Sequence, residues 1–138
     1  MIEVRPRVSV LITNQDKFIL IFRHKDGEDY YAIPGGGIES GETPMVAAFR
    51  EIDEELGLKL RNLQLISEIN TEDRHDYNFL AETDDLEITV TGPEKNHLNT
   101  PENLYQPQWL DKKTLNLNLP IYPTTARIMF SQMFKNLK

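Results

Sequence analysis

Cysteine is absent from this 138-residue chain. Disulfides, thiolate metal sites and cysteine nucleophiles are therefore excluded, and a reducing compartment is compatible with the sequence. Long apolar runs are absent as well. The longest, "VSVLI" and "FILIF", fall far short of the ~20 residues that a membrane-spanning helix needs. The opening "MIEVRPRVSV" has no apolar core of the secretory-signal kind. Positive charge is scarce: 15 Lys and Arg stand against 22 Asp and Glu, for a net charge of −7. Such a balance argues against a nucleic-acid polymer or an anionic membrane surface as the partner. The expectation is a soluble, cytoplasmic protein that needs metal ions or local basic groups wherever it meets phosphate.

What is present suits one domain over residues 1–138, with 39% hydrophobic and 27% charged residues. "RVSVLIT" and "KFILIFRH", parted by the turn-prone "NQDK", predict a hairpin of Arg7–Thr13 and Lys17–His24. "YYAI" predicts a short strand running into the loop "PGGGIESGETP". Met45 to Leu56 predicts a helix, with Thr43 as N-cap, Pro44 in the first turn and Gly57 as C-cap. Met45, Phe49, Ile52 and Leu56 recur at helical spacing and are expected to form its core face. Further strands are expected at "LKLRNLQLISEI", "DYNFLAET" and "LEITVTG", and a short strand or turn at "QPQWLD". The chain closes on an amphipathic helix with Ile128, Met129, Met133 and Phe134 inward. The whole reads as a mixed α/β domain of the α+β kind.

The helix carries an unusual load. "REIDEELG" places Glu51, Asp53, Glu54 and Glu55 within five positions. At ~100° per residue, Glu55 lies close to Glu51, while Arg50 and Glu54 form a neighbouring stripe and Asp53 points away. Arg50 and Glu54 make a favourable i,i+4 pair. Glu51 and Glu55 make a like-charge pair that costs ~0.2–0.5 kcal/mol even in an exposed helix. These acids also sit toward the helix C-terminus, where the dipole disfavours them. Local rules broken together mark functional sites, and a hard divalent cation such as Mg²⁺ or Mn²⁺ would remove the penalty. A solvated acidic face is the alternative for an isolated helix. The preceding glycine-rich loop changes the balance, because glycines let carbonyls or amides approach an ion or a phosphate.

"GGIESGETPMVAAFREIDEELGL", Gly36 to Leu58, resembles the box of the Nudix hydrolase family. Its fixed positions are met at Gly36, Glu42, Arg50, Glu51, Ile52, Glu54, Glu55, Gly57 and Leu58. "YYAIPGG" resembles the aromatic-x-x-Pro-Gly-Gly lead-in of the same family. The resemblance implies a Nudix-type α/β/α sandwich with a catalytic loop-helix-loop. It also implies a single-domain, MutT-like pyrophosphohydrolase that cleaves a nucleoside diphosphate derivative or nucleoside triphosphate by water attack on phosphorus. By the same resemblance Glu51 and Glu55 hold metal, with Glu54 holding metal or orienting the water. Arg50 holds a box glutamate in place, Glu42 assists from the loop, and a carbonyl of Gly35 or Gly36 completes the metal shell.

Outside the box, Arg23 is a candidate for substrate phosphates, and one of Tyr30 and Tyr31, taken as Tyr31, for stacking on a base. Tyr77 and Phe79 are weaker candidates of this sort. Tyr105 and Trp109 read as structural, and His24, His75 and His97 match no metal-ligand spacing. The partner is expected to be a small nucleotide, with a homodimer left open. The proline marking many ADP-ribose hydrolases is missing where Asp73 and Arg74 stand. "LPIYPTT" lacks the asparagine of oxidised-guanine nucleotide hydrolases. Two other classes compete: a Nudix-fold sensor that binds nucleotide without cutting it, and a globular domain with a chance acidic helix.

Overall fold

The computed structural model describes residues 4–90, 100–114, 121–122 and 126–135. β1 (Arg7–Asn14) and β2 (Lys17–Lys25) form the expected hairpin. Its two-residue turn sets Gln15 at φ 55°, the left-handed geometry that tight hairpins need. β3 (Glu28–Ala32) pairs with β2, and β4 (Gly35–Gly37) pairs with the start of β1. After α1 (Pro44–Leu56) come β5 (Leu60–Asn70), β6 (His75–Thr83), β7 (Asn103–Asp111), a 3₁₀ turn at Lys112–Thr114, β8 (Ile121–Tyr122) and α2 (Ala126–Lys135). Among the described residues no helix is long and apolar enough to cross a membrane.

Among the described residues the strands make one mixed sheet in the order β5-β6-β1-β2-β3-β8. β1 runs parallel to β6 along one edge. Its other edge is shared, with β4 taking residues 7–9 and β2 taking residues 13–14. β7 runs the full length of β2. Strand alternation then gives two cores. Val8, Val10, Ile12, Ile19 and Phe79 pack beneath α1, with its Ala47, Ala48, Ile52 and Leu56. Leu11, Phe18, Leu20 and Leu80 pack with Met129, Phe130 and Met133 of α2. The layers are helix, sheet, helix, as the family resemblance implies.

Helix α1 begins and ends for the expected reasons. The Thr43 hydroxyl accepts from the Val46 amide at 3.2 Å, with Pro44 next in the chain. Gly57 takes φ 66° at the C-cap, and its amide donates to the Asp53 carbonyl at 3.0 Å.

Its rotation differs from the expectation. Met45 and Phe49 are 48% and 43% exposed. The buried stripe is Ala47, Ala48, Ile52 and Leu56. Two small alanines let the helix lie close to the sheet. The face centre moves by roughly a fifth of a turn toward Glu51 and Glu55, at ~100° per residue, so the acidic stripe abuts the core.

Three other expectations change. The glycine loop contains β4, because the Gly35–Gly37 backbone satisfies β1. "QPQWLD" belongs to the longer β7. Residues 86–90 of "LEITVTG" are not a strand, and its last two positions, 91–92, lie outside the described residues. Instead the Thr89 amide caps the Leu56 carbonyl at 2.8 Å, and Trp109 Nε1 donates to the Leu86 carbonyl at 2.8 Å. The side chains of Ile128 and Phe134 also lie outside the described residues.

Ile52→Ala is expected to destabilise the fold by about 2–5 kcal/mol. Phe49→Ala should cost less than about 1 kcal/mol, as surface sites do. Urea unfolding with an unchanged m-value checks both, and a large cost at Phe49 would overturn the observed helix rotation.

Candidate active site

The site is assembled around one guanidinium. Arg50 leaves α1 on the flank that faces the glycine loop. Its Nε donates to Glu42 Oε2 at 2.6 Å and its Nη2 to Glu42 Oε1 at 2.8 Å, a two-pronged pair. Nη2 also donates to the Gly37 carbonyl at 3.1 Å. Nη1 donates to Glu51 Oε1 at 3.0 Å and to Glu54 Oε2 at 3.2 Å. Glu39 stands 3.8 Å from Nη1. The expected Arg50–Glu54 contact is present, yet the short, two-pronged contact goes to Glu42. The Glu42 carboxylate further accepts from the Glu39 amide at 2.8 Å, which closes the loop on itself.

These contacts set the electrostatics. The Arg50 hydrogen bonds, then the Glu39 amide, pull the Glu42 carboxyl from 4.5 down to about 2. The same Glu42 contact pushes the Arg50 guanidinium up. Glu42 is thus held as an anion and Arg50 as a cation at any working pH.

Glu51 turns toward the sheet, and its side chain is only 14% exposed. It lies against Gly36 so closely that a Cβ there would collide with the carboxylate. A side chain at Gly36 would therefore push the Glu51 carboxylate out of this position. Glu54, by contrast, is 57% exposed and faces solvent. Glu55 Oε2 accepts from the Tyr105 hydroxyl at 3.1 Å.

Tyr105 is a residue that the sequence placed among structural aromatics. It sits on β7 directly across from Arg23 on β2. The Arg23 guanidinium lies 5.5 Å from the Tyr105 ring centroid, and its Nη2 donates to Asn103. Arg23 Nε is buried without a hydrogen-bond partner among the described residues. Arg23 therefore reaches the acidic group through Tyr105. Period-2 alternation alone could have put Arg23 and Tyr105 on one face, but only with the β2–β7 register known.

The remaining candidates fall elsewhere. Tyr31 meets Phe22 edge-to-face at 5.5 Å and packs against the second core; Tyr30 meets Tyr122. Tyr77 packs against the first core beside His75. Phe79 is buried in that core, and Trp109 packs against it. His24 pairs with Asp29, and His97 lies outside the described residues.

A hard cation fits these donors. Among the described residues no three acidic or histidine side chains form a complete ligand set. Glu51, packed against Gly36, and Glu55, one turn further along α1, carry oxygen donors of the kind such an ion takes. Mg²⁺ commonly takes one or two carboxylates and completes its shell with water and substrate phosphates.

The stability of the protein should fall as pH drops from 4.5 toward 2, because Glu42 is deprotonated more readily folded than unfolded. Its contribution is fully present above 4.5 and lost below about 2. Acid titration followed by circular dichroism should show a shallower decline in Glu42→Gln than in wild type over that window.

Known proteins resemble this chain in both sequence and fold. The family model described as "NUDIX domain" matches residues 3–130. A hydrolase of the Nudix family from Clostridium perfringens superposes with a TM-score of 0.72 at 22% identity, covering 99% of this chain and all of that one. A structure described for MutT from Aliivibrio salmonicida and Vibrio cholerae gives 0.70 at 18%, covering 96% and 98%. At such identities the likeness is one of fold. A protein of Halorhodospira halophila named RNA pyrophosphohydrolase is 44% identical over 54 residues, 39% of this chain and 29% of its own length. Its namesake from Gluconobacter oxydans is 42% identical over 65 residues, 46% of this chain and 37% of its own. The matched stretch thus spans about a third of these curated relatives. With Glu42, Glu51 and Glu54 of the box gathered on Arg50 and the family match running over nearly the whole sequence, the chain belongs to the Nudix domain family.

Proposed function

We propose that the protein is a divalent-metal-dependent pyrophosphohydrolase that cleaves a nucleoside diphosphate derivative or a nucleoside triphosphate. The observation that carries this reading is the Arg50 cluster, which holds Glu51 against Gly36 and leaves Glu54 open to solvent, with Glu55 on the next turn of α1 held by Tyr105. An eroded, binding-only site would not need all of these carboxylates held in place.

Glu51, Glu55 and the Gly36 carbonyl hold the cation, which is Mg²⁺ or Mn²⁺. When bound, it neutralises pyrophosphate oxygens and acidifies water. Glu54 orients the attacking water and takes its proton, a role suited to an exposed carboxylate on the open side of the cluster. Arg50 fixes Glu51 and Glu54 relative to each other, and Glu42 keeps Arg50 in place. Arg23 binds a substrate phosphate through its guanidinium, which Tyr105 and Asn103 hold beside the acidic group. The phosphate leaves without a covalent enzyme intermediate, since no side-chain nucleophile is required.

The substrate is a small nucleotide in this reading. The names of the curated relatives add RNA to the set worth testing, and a 5′-triphosphate end is where an RNA can carry a pyrophosphate bond. Incubation with Mg²⁺ and (d)NTPs, ADP-ribose, nucleotide sugars, dinucleoside polyphosphates and a 5′-triphosphorylated oligonucleotide should show cleavage of at least one by chromatography. EDTA should abolish it, and Glu54→Gln should lower kcat by about 10²–10⁴-fold. Binding without turnover across the panel would make the protein a sensor instead. Tyr105→Phe should weaken Mn²⁺ binding, read by electron paramagnetic resonance titration, by about tenfold or more, because partners that orient metal ligands carry effects of that size.

A further inference from the structure

Beside the glycine loop, a recess of about 320 Å³ opens between the entry to β1 and the β5–β6 turn. Arg5, Arg7, Arg74 and His75 line it, together with Asp73 and Asp76. Its acids are already engaged. Asp76, only 4% exposed, takes the Arg74 Nε–H at 2.8 Å, and Asp73 accepts from the Thr71 hydroxyl at 2.9 Å. His75 is held by Glu68 at 3.0 Å. Arg5 and Arg7 have no hydrogen-bond or ion-pair partner among the described residues. Arg5 feels Glu42 only at longer range, as one of the weaker influences on that carboxyl. In a chain of net charge −7 this leaves the hydrogen-bond donors of two guanidinium groups in one recess uncommitted to any described residue.

The recess adjoins the box. A Cβ on Gly37 would lie 2.5 Å from the Arg5 guanidinium, and the Gly37 carbonyl is the one that Arg50 binds. One glycine of β4 therefore separates the Arg5 side chain from the acidic cluster. Guanidinium forks match phosphate oxygens, and a concave basic patch concentrates anions in an otherwise acidic field.

We propose that the recess formed by Arg5, Arg7 and Arg74 is an anion subsite that receives a phosphate group of the substrate lying beyond the pyrophosphate that is cut. This rests on the hydrolase reading above. Two sources carry that chemistry: the 3′-phosphodiester of an oligonucleotide, and the far phosphates of a dinucleoside polyphosphate. Arg74 is committed to a buried carboxylate, so Arg5 and Arg7 supply the donors that no described residue takes up.

Steady-state kinetics with Mg²⁺ on wild type, Arg7→Ala and Arg5→Ala/Arg7→Ala tests the proposal. Three substrates are compared: ADP-ribose, diadenosine tetraphosphate and a 5′-triphosphorylated dinucleotide. KM for one of the last two should rise about tenfold or more in the double variant, a loss of about 1.4 kcal/mol. Its kcat should stay within about twofold, and any ADP-ribose turnover should be unchanged. The substrate whose KM rises names the source. An equal KM change for every substrate cut, or none, overturns the subsite. If wild type cuts none of the three, the hydrolase reading fails for these substrates, and the subsite is judged by calorimetry instead. Adenosine 3′,5′-bisphosphate in EDTA should bind wild type and lose that binding in the double variant; unchanged or absent binding overturns the proposal. Melting curves establish that the variants fold, and Arg7→Gln replaces the double variant if it does not.

Discussion

The Arg50 guanidinium joins both arms of the site. It donates to Glu42 and to the Gly37 carbonyl on the loop side, and to Glu51 and Glu54 on the helix side. Without it the three carboxylates would repel one another, and β4 would lose a direct tie to α1. A planar fork with five donors can serve this many acceptors at once, whereas a lysine ammonium cannot match the two-pronged contact to Glu42. The cost of crowding acids onto one helix is thus met locally. The chain's overall excess of negative charge does not enter into it.

The rotation of α1 follows from packing. Ala47 and Ala48 let the helix approach the sheet more closely than Met45 and Phe49 would. That closeness brings Glu51 against Gly36 and Glu55 within reach of Tyr105. A larger residue at either alanine would hold the acids away from β4. The core and the site therefore constrain each other: the small residues that lower the apolar area of the helix are the ones that place its carboxylates.

Positive charge is distributed with the same economy. Arg50 sits inside the acidic cluster, Arg23 stands over the Tyr105 ring, and Arg5 lies against Gly37. Arg61 is committed to Glu82 of β6 and to Asp84 just beyond it, and Arg74 to Asp76 of β6. Phosphate oxygens approaching the site would meet guanidinium groups at short range in spite of the unfavourable net charge, because nearby fixed charges outweigh screened distant ones.

Sequence alone determined the features that depend on near neighbours in the chain. The hairpin, the Thr43 and Gly57 caps, the span of α1 and the fixed positions of the box all rest on spacings of a few residues, where turn geometry and helical periodicity apply directly. Tertiary structure decided the rest. The amphipathic pattern of α1 allowed two core faces, one through Met45 and Phe49 and one through Ala47 and Ala48, and only contact with the sheet chose between them. Tyr105 meets Glu55 because β7 pairs with β2 in a particular register, which no local pattern specifies. Residues 86–90 have the composition of a strand, yet they cap the end of α1, since an unpaired carbonyl there outweighs strand propensity. Arg5 comes to Gly37 through the pairing of β1 with β4, two strands separated in the chain by β2 and β3.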